Sequence, residues 1–323
     1  MRRFIPLCLS GALLLLPAVV GAAPASPPNP ANPADTLKEA VRLLDDGKFK
    51  QAAETFQRAD DQSGGTCGPC LLGLSRAHAG LRQFEEAAGA ARRATEKLKS
   101  PDLVSQAWNQ VGMALAQKRE PDLAGAEEAF RKAADLGGKL ALVSRYNLAD
   151  VLWREKKFDE SEESARQVLQ ADPTGPAAKN ARIVLCQAKI DGTPPPAPEE
   201  LFADETESCG MMPPPPGSEE PKKVEEGVQR PEKIFGEPPY YSEQARKDRA
   251  EGKVLLDSII DEDGCIQKLR VCKRANHPDL NRAALETVRR WVFRPAMFGS
   301  QPVKVYYTLT VNFQVGERPG PGR

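Results

Sequence analysis

The chain has 323 residues, with 45 basic and 45 acidic side chains and a formal net charge of zero. This length is sufficient for two domains, each with its own hydrophobic core. Balanced charge removes the long-range field that concentrates a protein on phosphate backbones or anionic lipid, so we expect no nucleic-acid partner.

The N-terminus has the pattern of a secretory signal. Arg2 and Arg3 precede an apolar run over residues 4–21, which small residues follow. The pattern predicts a signal peptide over 1–22, cleavage, and a disordered segment over 23–34. A retained membrane anchor is the alternative, because an apolar run of roughly 18 residues is at the lower limit for spanning a bilayer. Membrane association is expected only through such an uncleaved N-terminus.

Cysteine usage fits an exported protein. Removal of the signal peptide takes Cys8 and leaves six of the seven cysteines, an even number in a compartment where disulfides persist. Their connectivity stays open. Cys265 and Cys272 are seven residues apart on one predicted strand and so face opposite sides. We expect each to pair elsewhere or to remain unpaired.

A repeat occupies residues 36–173. An aromatic residue or Leu is followed, three, seven and ten residues later, by mostly small or aromatic residues. The four blocks start at Phe49, Phe84, Leu123 and Phe158. Spacings of 35, 39 and 35 residues are the period of a two-helix repeat and predict an all-α solenoid over 35–190, with a capping helix over 177–189.

Each block follows a second amphipathic stretch, of which Trp108-Asn109-Gln110-Val111-Gly112 is the clearest. With these stretches, the repeats resemble tetratricopeptide repeats. The resemblance implies a concave groove that holds a peptide or a helix of a partner protein.

Within the repeats, Cys67-Gly68-Pro69-Cys70 resembles the redox motif of thioredoxins. A helix N-terminus would favour the thiolate needed for disulfide exchange. However, no strand of a βαβ unit precedes the motif, and Leu71 and Leu74 continue the repeat pattern. A structural or inert cysteine pair, with a possible disulfide between Cys67 and Cys70, is therefore favoured, and a thiol–disulfide oxidoreductase is kept as an alternative function.

The chain offers little else for catalysis. It contains two histidines, His78 and His277, which is too few for a multi-histidine metal site, and no pair of carboxylates is forced into one pocket. We expect no enzymatic activity, no cofactor and no metal.

Residues 191–230 change in character, with runs of proline among acidic and small residues. Such a tract favours polyproline II and is predicted to be a disordered linker. The proline-rich stretch, which continues to about residue 239, could span up to ~150 Å at about 3.1 Å per residue. It would serve either to reach across the periplasm or simply to separate two domains.

The C-terminal region has the periodicity of strands around one helix. Residues 254–260 and 266–272 flank a tight acidic turn and predict a β-hairpin. An apolar stripe from Leu280 to Trp291 predicts a helix that stops at Arg294-Pro295. Residues 303–315 alternate between apolar and polar without a break and predict a final strand.

Several collinear motifs make this region similar to the TonB C-terminal domain. They are Tyr241-Ser242-Glu243-Gln244-Ala245-Arg246, Arg249-Ala250-Glu251-Gly252, Asp261-Glu262-Asp263-Gly264, Arg289-Arg290-Trp291, Arg294-Pro295 and Val311-Asn312-Phe313. The resemblance implies a small α+β domain with a three-stranded antiparallel sheet over 231–316, followed by a disordered tail over 317–323. The predicted fold is thus multidomain, a tetratricopeptide-type solenoid followed by a TonB-like domain.

The family captures an extended segment of an outer-membrane transporter as an added strand. By position, that task would fall on Tyr241, Gln244 and Arg246 and on Lys304, Tyr306, Thr308 and Thr310. Ser242 stands where the family usually has proline, and it can cap a helix beginning at Glu243.

The resulting hypothesis is a non-enzymatic periplasmic adaptor whose two modules each bind a protein. A membrane-anchored, TonB-type energy transducer for outer-membrane transport is the alternative, which requires a retained N-terminus.

Overall fold

The computed structural model of the chain describes residues 32–203, 208–210, 212–215, 217–225 and 227–314. The predicted signal peptide over 1–22, most of the segment 23–34 and the tail 317–323 lie outside the described residues. In the described ranges, no helix has both the length and the apolar character needed to cross a membrane.

The N-terminal half of the described chain is a succession of α-helices, each packed on the next. Their bounds are α1 Pro33–Asp45, α2 Phe49–Gln62, α3 Gly68–Gly80, α4 Phe84–Lys97, α5 Pro101–Gln117, α6 Leu123–Asp135, α7 Ala141–Arg154, α8 Phe158–Ala171 and α9 Ala178–Gly192. Helices α2, α4, α6 and α8 begin at the four predicted leading residues. The odd-numbered helices contact one another in succession, as the inner helices of a solenoid do. The predicted all-α solenoid is confirmed.

Large rings set against glycines explain how neighbouring helices approach closely. Phe56 of α2 is fully buried against Gly73 of α3, where a Cβ atom would lie 2.3 Å from the ring. Phe130 of α6 packs in the same way on Gly112 of α5, where a Cβ atom would lie 2.7 Å from the ring. Each ring fills the space that a missing side chain leaves, so the repeats reach the close packing of a protein interior.

The last helix of the solenoid, α9, is covered by the C-terminal region instead of facing solvent. One side of α9 packs on α7 and α8, and its buried Cys186 belongs to a cluster that also includes Cys265 and Val292 of the C-terminal region. Residues of α9 are therefore buried on two sides, which accounts for its unusually long run of buried positions from Ala181 to Ala188.

The described residues of the C-terminal region form three long strands, several short ones and two α-helices. A single 3₁₀ turn, Pro198–Leu201, precedes them, and the bounds are β1 Lys222–Lys223, β2 Val228–Gln229, β3 Glu232–Phe235, α10 Glu243–Lys247, β4 Gly252–Ile260, β5 Ile266–Lys273, α11 Pro278–Val288, β6 Val292–Arg294, β7 Ala296–Phe298, β8 Gln301–Val303 and β9 Val305–Phe313. The main sheet has the order β1-β9-β4-β5. Its three long strands are antiparallel, as predicted, and β1 adds two residues in parallel.

One face of the main sheet packs on α11. The apolar positions of β9 and of α11 share a single core, which includes Val305, Leu309, Val311, Leu280 and Val288. The predicted alternation of β9 is therefore observed, and its apolar residues face α11. The opposite face carries Tyr306, Thr308 and Thr310 of β9.

Two predicted boundaries were wrong. The helix ends at Val288 instead of reaching Arg294, because Val292–Arg294 forms β6 and pairs with β3. Trp291 lies in the turn between them, where its ring NH donates to the Glu237 carbonyl at 2.9 Å. The last strand is also interrupted at Lys304, which lies between the end of β8 and the start of β9.

Candidate functional site

The outer edge of β9 is the candidate site for strand addition. The Lys222 amide donates to the Lys304 carbonyl at 2.8 Å, so the backbone polar groups of Lys304 point away from β4. These directions alternate along a strand. Because β4 and β9 pair without a register shift, Tyr306, Thr308, Thr310 and Asn312 also present their NH and CO groups to the outer edge.

The chain itself covers one end of this edge. Strand β1 pairs in parallel with β9, with Lys222 opposite Val305 and Lys223 opposite Tyr306. Beyond Tyr306, no strand of the described residues pairs with the outer side of β9. The open part of the edge therefore carries the backbone groups of Thr308, Thr310 and Asn312, whose side chains are exposed.

The predicted binding residues fall into two separate groups. The Tyr241 ring meets the Phe313 ring edge-on at 5.3 Å, which places it at the C-terminal end of β9. Lys304 and Tyr306 lie toward the other end, roughly 31 Å and 24 Å from Phe313 along the strand at ~3.4 Å per residue. Thr308 and Thr310 lie between.

The short helix α10 holds the first group. Ser242 caps it as predicted, because its hydroxyl accepts from the Ala245 amide at 3.0 Å and donates to Asp279 at 2.6 Å. Gln244 and Arg246 are exposed, and the Gln244 amide donates to Asp248. Tyr241 is half-buried, and burial raises the pKa of its hydroxyl.

The face of the sheet opposite α11 carries a polar group that strands β4, β5 and β9 share. Asp257 is 2% exposed, accepts from the Thr308 hydroxyl at 3.2 Å and lies 3.8 Å from Arg270. It also accepts from the Gly210 amide at 2.8 Å. A disulfide joins Cys209 to Cys272 beside this carboxylate, so neither sulfur is available as a thiolate ligand for a metal.

Residues of the predicted linker thus lie on the sheet instead of extending away from it. Ala203 donates to the Val271 carbonyl at the β5 edge, and the Pro213 carbonyl accepts from Lys268 on the open face. Met212 is 2% exposed. We refer to the described residues between 201 and 225 as the strap. It runs from the β5 edge, across the face opposite α11, to the β9 edge.

A second unpredicted feature is the joint between the two modules. Cys186 of α9 forms a disulfide with Cys265 in the turn after β4. The Arg182 side chain donates to the Asp263 carbonyl at 2.9 Å. Lys189 bridges the carboxylates of Asp261 and Asp263, each at 2.7 Å. A disulfide, ion pairs and the apolar cluster around Cys186, Cys265 and Val292 therefore all connect the two modules at this joint.

Burial and charge act against each other in this joint. Burial raises the pKa of Asp261, and the nearby Lys189 only partly offsets it. For Lys189, burial alone would lower the pKa, but the charges of Asp261 and Asp263 outweigh it and the pKa rises. The acidic turn that the sequence marked as a hairpin turn is thus also half of an ion-pair cluster.

The Cys67–Cys70 motif forms a disulfide at the start of α3. The Cys70 amide donates to the Cys67 sulfur at 3.2 Å, and Asp60, which pairs with Arg93, accepts from the Cys67 amide at 3.0 Å. Cys70 is 1% exposed. Helix α2 precedes the motif, so its surroundings are those of a repeat and not of a βαβ unit.

On the inner helices of the solenoid, polar side chains mostly satisfy one another. The Asn109 carbonyl oxygen accepts from Ser144 at 3.1 Å and from Asn147 at 3.0 Å, which ties α5 to α7. Arg76 donates to Gln106 at 2.9 Å and ties α3 to α5. A separate open depression of about 470 Å³ lies between α6 and α8, lined by charged residues that include Arg131 and Glu160.

Sequence reasoning missed both the strap and the joint, for different reasons. Even numbers of cysteines signalled disulfides, but pairing partners 79 and 63 residues apart cannot be read from spacing. The two-residue strand β1 is too short to produce an alternating pattern.

Both modules match models of known protein families. The family model described as Gram-negative bacterial TonB protein C-terminal matches residues 237–315. The tetratricopeptide repeat model matches residues 72–141 and 122–176. The chain therefore contains tetratricopeptide repeats followed by a TonB C-terminal domain. None of the curated proteins is significantly similar to it in sequence.

The chain is also similar to several solved structures, each over about half of its length. A set of nearly identical TPR-like repeats from Podosopora anserina is 15% identical, covers 51% of this chain and 88% of its own, and has a TM-score of 0.42. The MamA protein is 14% identical, with coverages of 50% and 82% and a TM-score of 0.43. YrrB, a TPR protein with an unusual peptide-binding site, is 16% identical, with coverages of 50% and 84% and a TM-score of 0.40.

Proposed function

We propose that the chain is a non-enzymatic periplasmic adaptor. Its repeats hold one protein, and the open edge of β9 captures an extended segment of an envelope or outer-membrane protein as an added strand. Both families found in the chain are interaction modules, which supports a binding role over a catalytic one.

The single observation that carries this proposal is the row of outward backbone groups at Thr308, Thr310 and Asn312. An unpaired strand edge is a ready template for another chain, since its NH and CO groups supply main-chain hydrogen bonds. The alternating exposed side chains of the same residues would then provide selectivity. Tyr241 and Lys304, at opposite ends of β9, would mark the limits of the captured segment.

The joint supports a specific kind of adaptor. Because Cys186–Cys265 and the Lys189 ion pairs fix α9 to the C-terminal domain, the two binding modules keep one relative orientation. A partner in the repeats is thereby held at a set distance from a partner on β9. This arrangement replaces the flexible reach that the proline-rich sequence suggested.

Placement in the periplasm rests on two supports. The sequence predicts an export signal at residues 1–22, and three disulfides join the cysteines of the described residues. Disulfides persist in oxidising compartments outside the cytosol. N-terminal sequencing of the mature protein distinguishes the adaptor, which begins near Ala23, from an anchored transducer, which retains Met1.

The strand-addition proposal is tested at Thr310. Thr310→Pro removes one outward NH without touching the β4 ladder, whereas Thr310→Val keeps that NH and serves as the matched control. A photo-crosslinking residue at position 312 reports capture in cells. We expect a crosslinked envelope protein with wild type and Thr310→Val, and a loss of about tenfold with Thr310→Pro. Equal crosslinking by both variants would contradict strand addition.

A further inference from the structure

The strap ends on the edge that the proposed function requires. Its last strand, Lys222–Lys223, uses the outward backbone groups of Lys304 and Tyr306, which begin the same row as Thr308, Thr310 and Asn312. A backbone carbonyl or amide that pairs with β1 is not free to pair with an incoming strand in the same plane. The chain therefore occupies part of its own binding edge.

The strap is fastened at several points before it reaches that edge. The Cys209–Cys272 disulfide ties it to β5, the Gly210 amide donates to the buried Asp257, and Lys268 donates to the Pro213 carbonyl. Pro221, directly before β1, is buried. These contacts confine β1 to the neighbourhood of β9 and so give it a high effective concentration there.

The final contact of the strap is by comparison weak. Strand β1 has only two residues, both exposed, and its side-chain contribution is the Lys222 ammonium 5.3 Å from the centre of the Phe298 ring. At Val224 the chain bends away toward β2, so pairing stops before Thr308. A strand that pairs along the whole of β9 would make more main-chain hydrogen bonds than β1 does.

We propose that the strap is a built-in competitor for the β9 edge, held in place by the Cys209–Cys272 disulfide and displaced when a longer strand adds to β9. This inference rests on the proposed function, and it adds the regulation of that site. A captured segment that reaches Lys304 must remove Lys222–Lys223, whereas one confined to Thr308–Asn312 need not. The strap therefore opposes extension of a captured segment to Lys304, and only a segment whose added main-chain hydrogen bonds outweigh those of β1 displaces it.

Hydrogen exchange on the full chain tests whether the strap protects the edge. Lys222→Pro removes the amide that donates to Lys304, and Lys223→Pro, whose amide points away from β9, is the matched control. We expect the Tyr306 amide to exchange about tenfold faster in Lys222→Pro and unchanged in Lys223→Pro. Amides of Tyr307 and Leu309, which face β4, should stay protected in both variants. An unchanged Tyr306 rate in Lys222→Pro would overturn the proposal.

The role of the disulfide is tested by the double variant Cys209→Ser, Cys272→Ser. It should also accelerate Tyr306 exchange while Tyr307 and Leu309 remain protected. The variant Cys67→Ser, Cys70→Ser removes a distant disulfide and should leave Tyr306 unchanged. If the first double variant leaves Tyr306 protected, the disulfide does not hold the strap, and the proposal fails in that part.

A peptide with the sequence of residues 219–225 separates this inference from the proposed function. We expect the labelled peptide to bind Lys222→Pro about tenfold more tightly than wild type, and a peptide with proline in place of its first lysine to bind neither. Faster Tyr306 exchange without peptide binding would uphold the strap as a cover but count against strand addition. Peptide binding of equal strength to wild type and Lys222→Pro would show that the strap does not compete.

Discussion

Asp150 on α7 is the buried carboxyl group with the clearest energetic consequence. It is 2% exposed, and burial raises its pKa from 3.8 to about 6, although Arg154 lies 4.0 Å away. Because the folded state holds the proton more tightly than the unfolded state, folding is favoured at low pH. The stability from this group is lost as the pH rises from about 4 through about 6.

We predict that Asp150→Asn stabilises the protein at neutral pH, because asparagine resembles the protonated carboxyl. A shift of about two pKa units corresponds to at most about 3 kcal/mol at pH 7.5, falling to about 1 kcal/mol at pH 4.5. Urea unfolding at the two pH values measures the difference. The exposed Asp135→Asn is the control and should change little. A gain that did not depend on pH would contradict this explanation.

At the scale of elements, α9 is the helix with the most demanding position. It must pack on α8 through one face and bind the turn after β4 through another. Lys189 supplies the cation for Asp261, whose side chain is 9% exposed. Removing one partner of a buried ion pair leaves an uncompensated charge and costs more than the pair itself contributes.

Lys189→Met should therefore destabilise the full chain. We expect a loss of about 2 kcal/mol, below the range for fully buried pairs, since the Lys189 side chain is 25% exposed. Lys179→Met, at an exposed position of the same helix, is the control for helix propensity. Thermal or urea unfolding gives the two values. Equal effects of both variants would mean that the ion pairs contribute nothing to the joint.

Long periodic elements were predictable from the sequence, and short ones set by distant partners were not. Helices α2, α4, α6 and α8 and strand β9 each repeat one pattern over many residues, so their faces were correct. Strand β6 was predicted as the end of a helix because Trp291 continues the apolar stripe, but its pairing with β3 and the bridge from Val292 to Cys265 make it a strand. The edge residues of β9 could be named, but not the two-residue β1 that covers Lys304 and Tyr306.

At the scale of the whole molecule, a disulfide joins the two modules directly, in addition to the chain that connects them. The Cys186–Cys265 disulfide spans 79 residues, whereas Cys67–Cys70 spans three. In the chain-entropy view, closing the longer loop stabilises by about 4 kcal/mol and the shorter one by about 2 kcal/mol. This direct connection could not be predicted from the proline-rich sequence between the modules, because its composition alone favours an extended spacer.

The double variant Cys186→Ser, Cys265→Ser should lose about 4 kcal/mol and unfold in two separate transitions, one for each module. Cys67→Ser, Cys70→Ser should lose about half as much and keep one transition. Calorimetry distinguishes the two patterns. A single unchanged transition in the first variant would show that the Cys186–Cys265 disulfide is not what couples the two modules.

Strand addition at β9 is tested most directly by amide hydrogen exchange along this strand, with and without a captured partner segment. We predict that the Thr308, Thr310 and Asn312 amides slow markedly on capture, while Leu309 and Val311, already bonded to β4, do not change. This alternation is the signature of a strand added in the plane of the sheet. Partner binding that left Thr308, Thr310 and Asn312 exchanging at their free rates would contradict the proposed role of this edge.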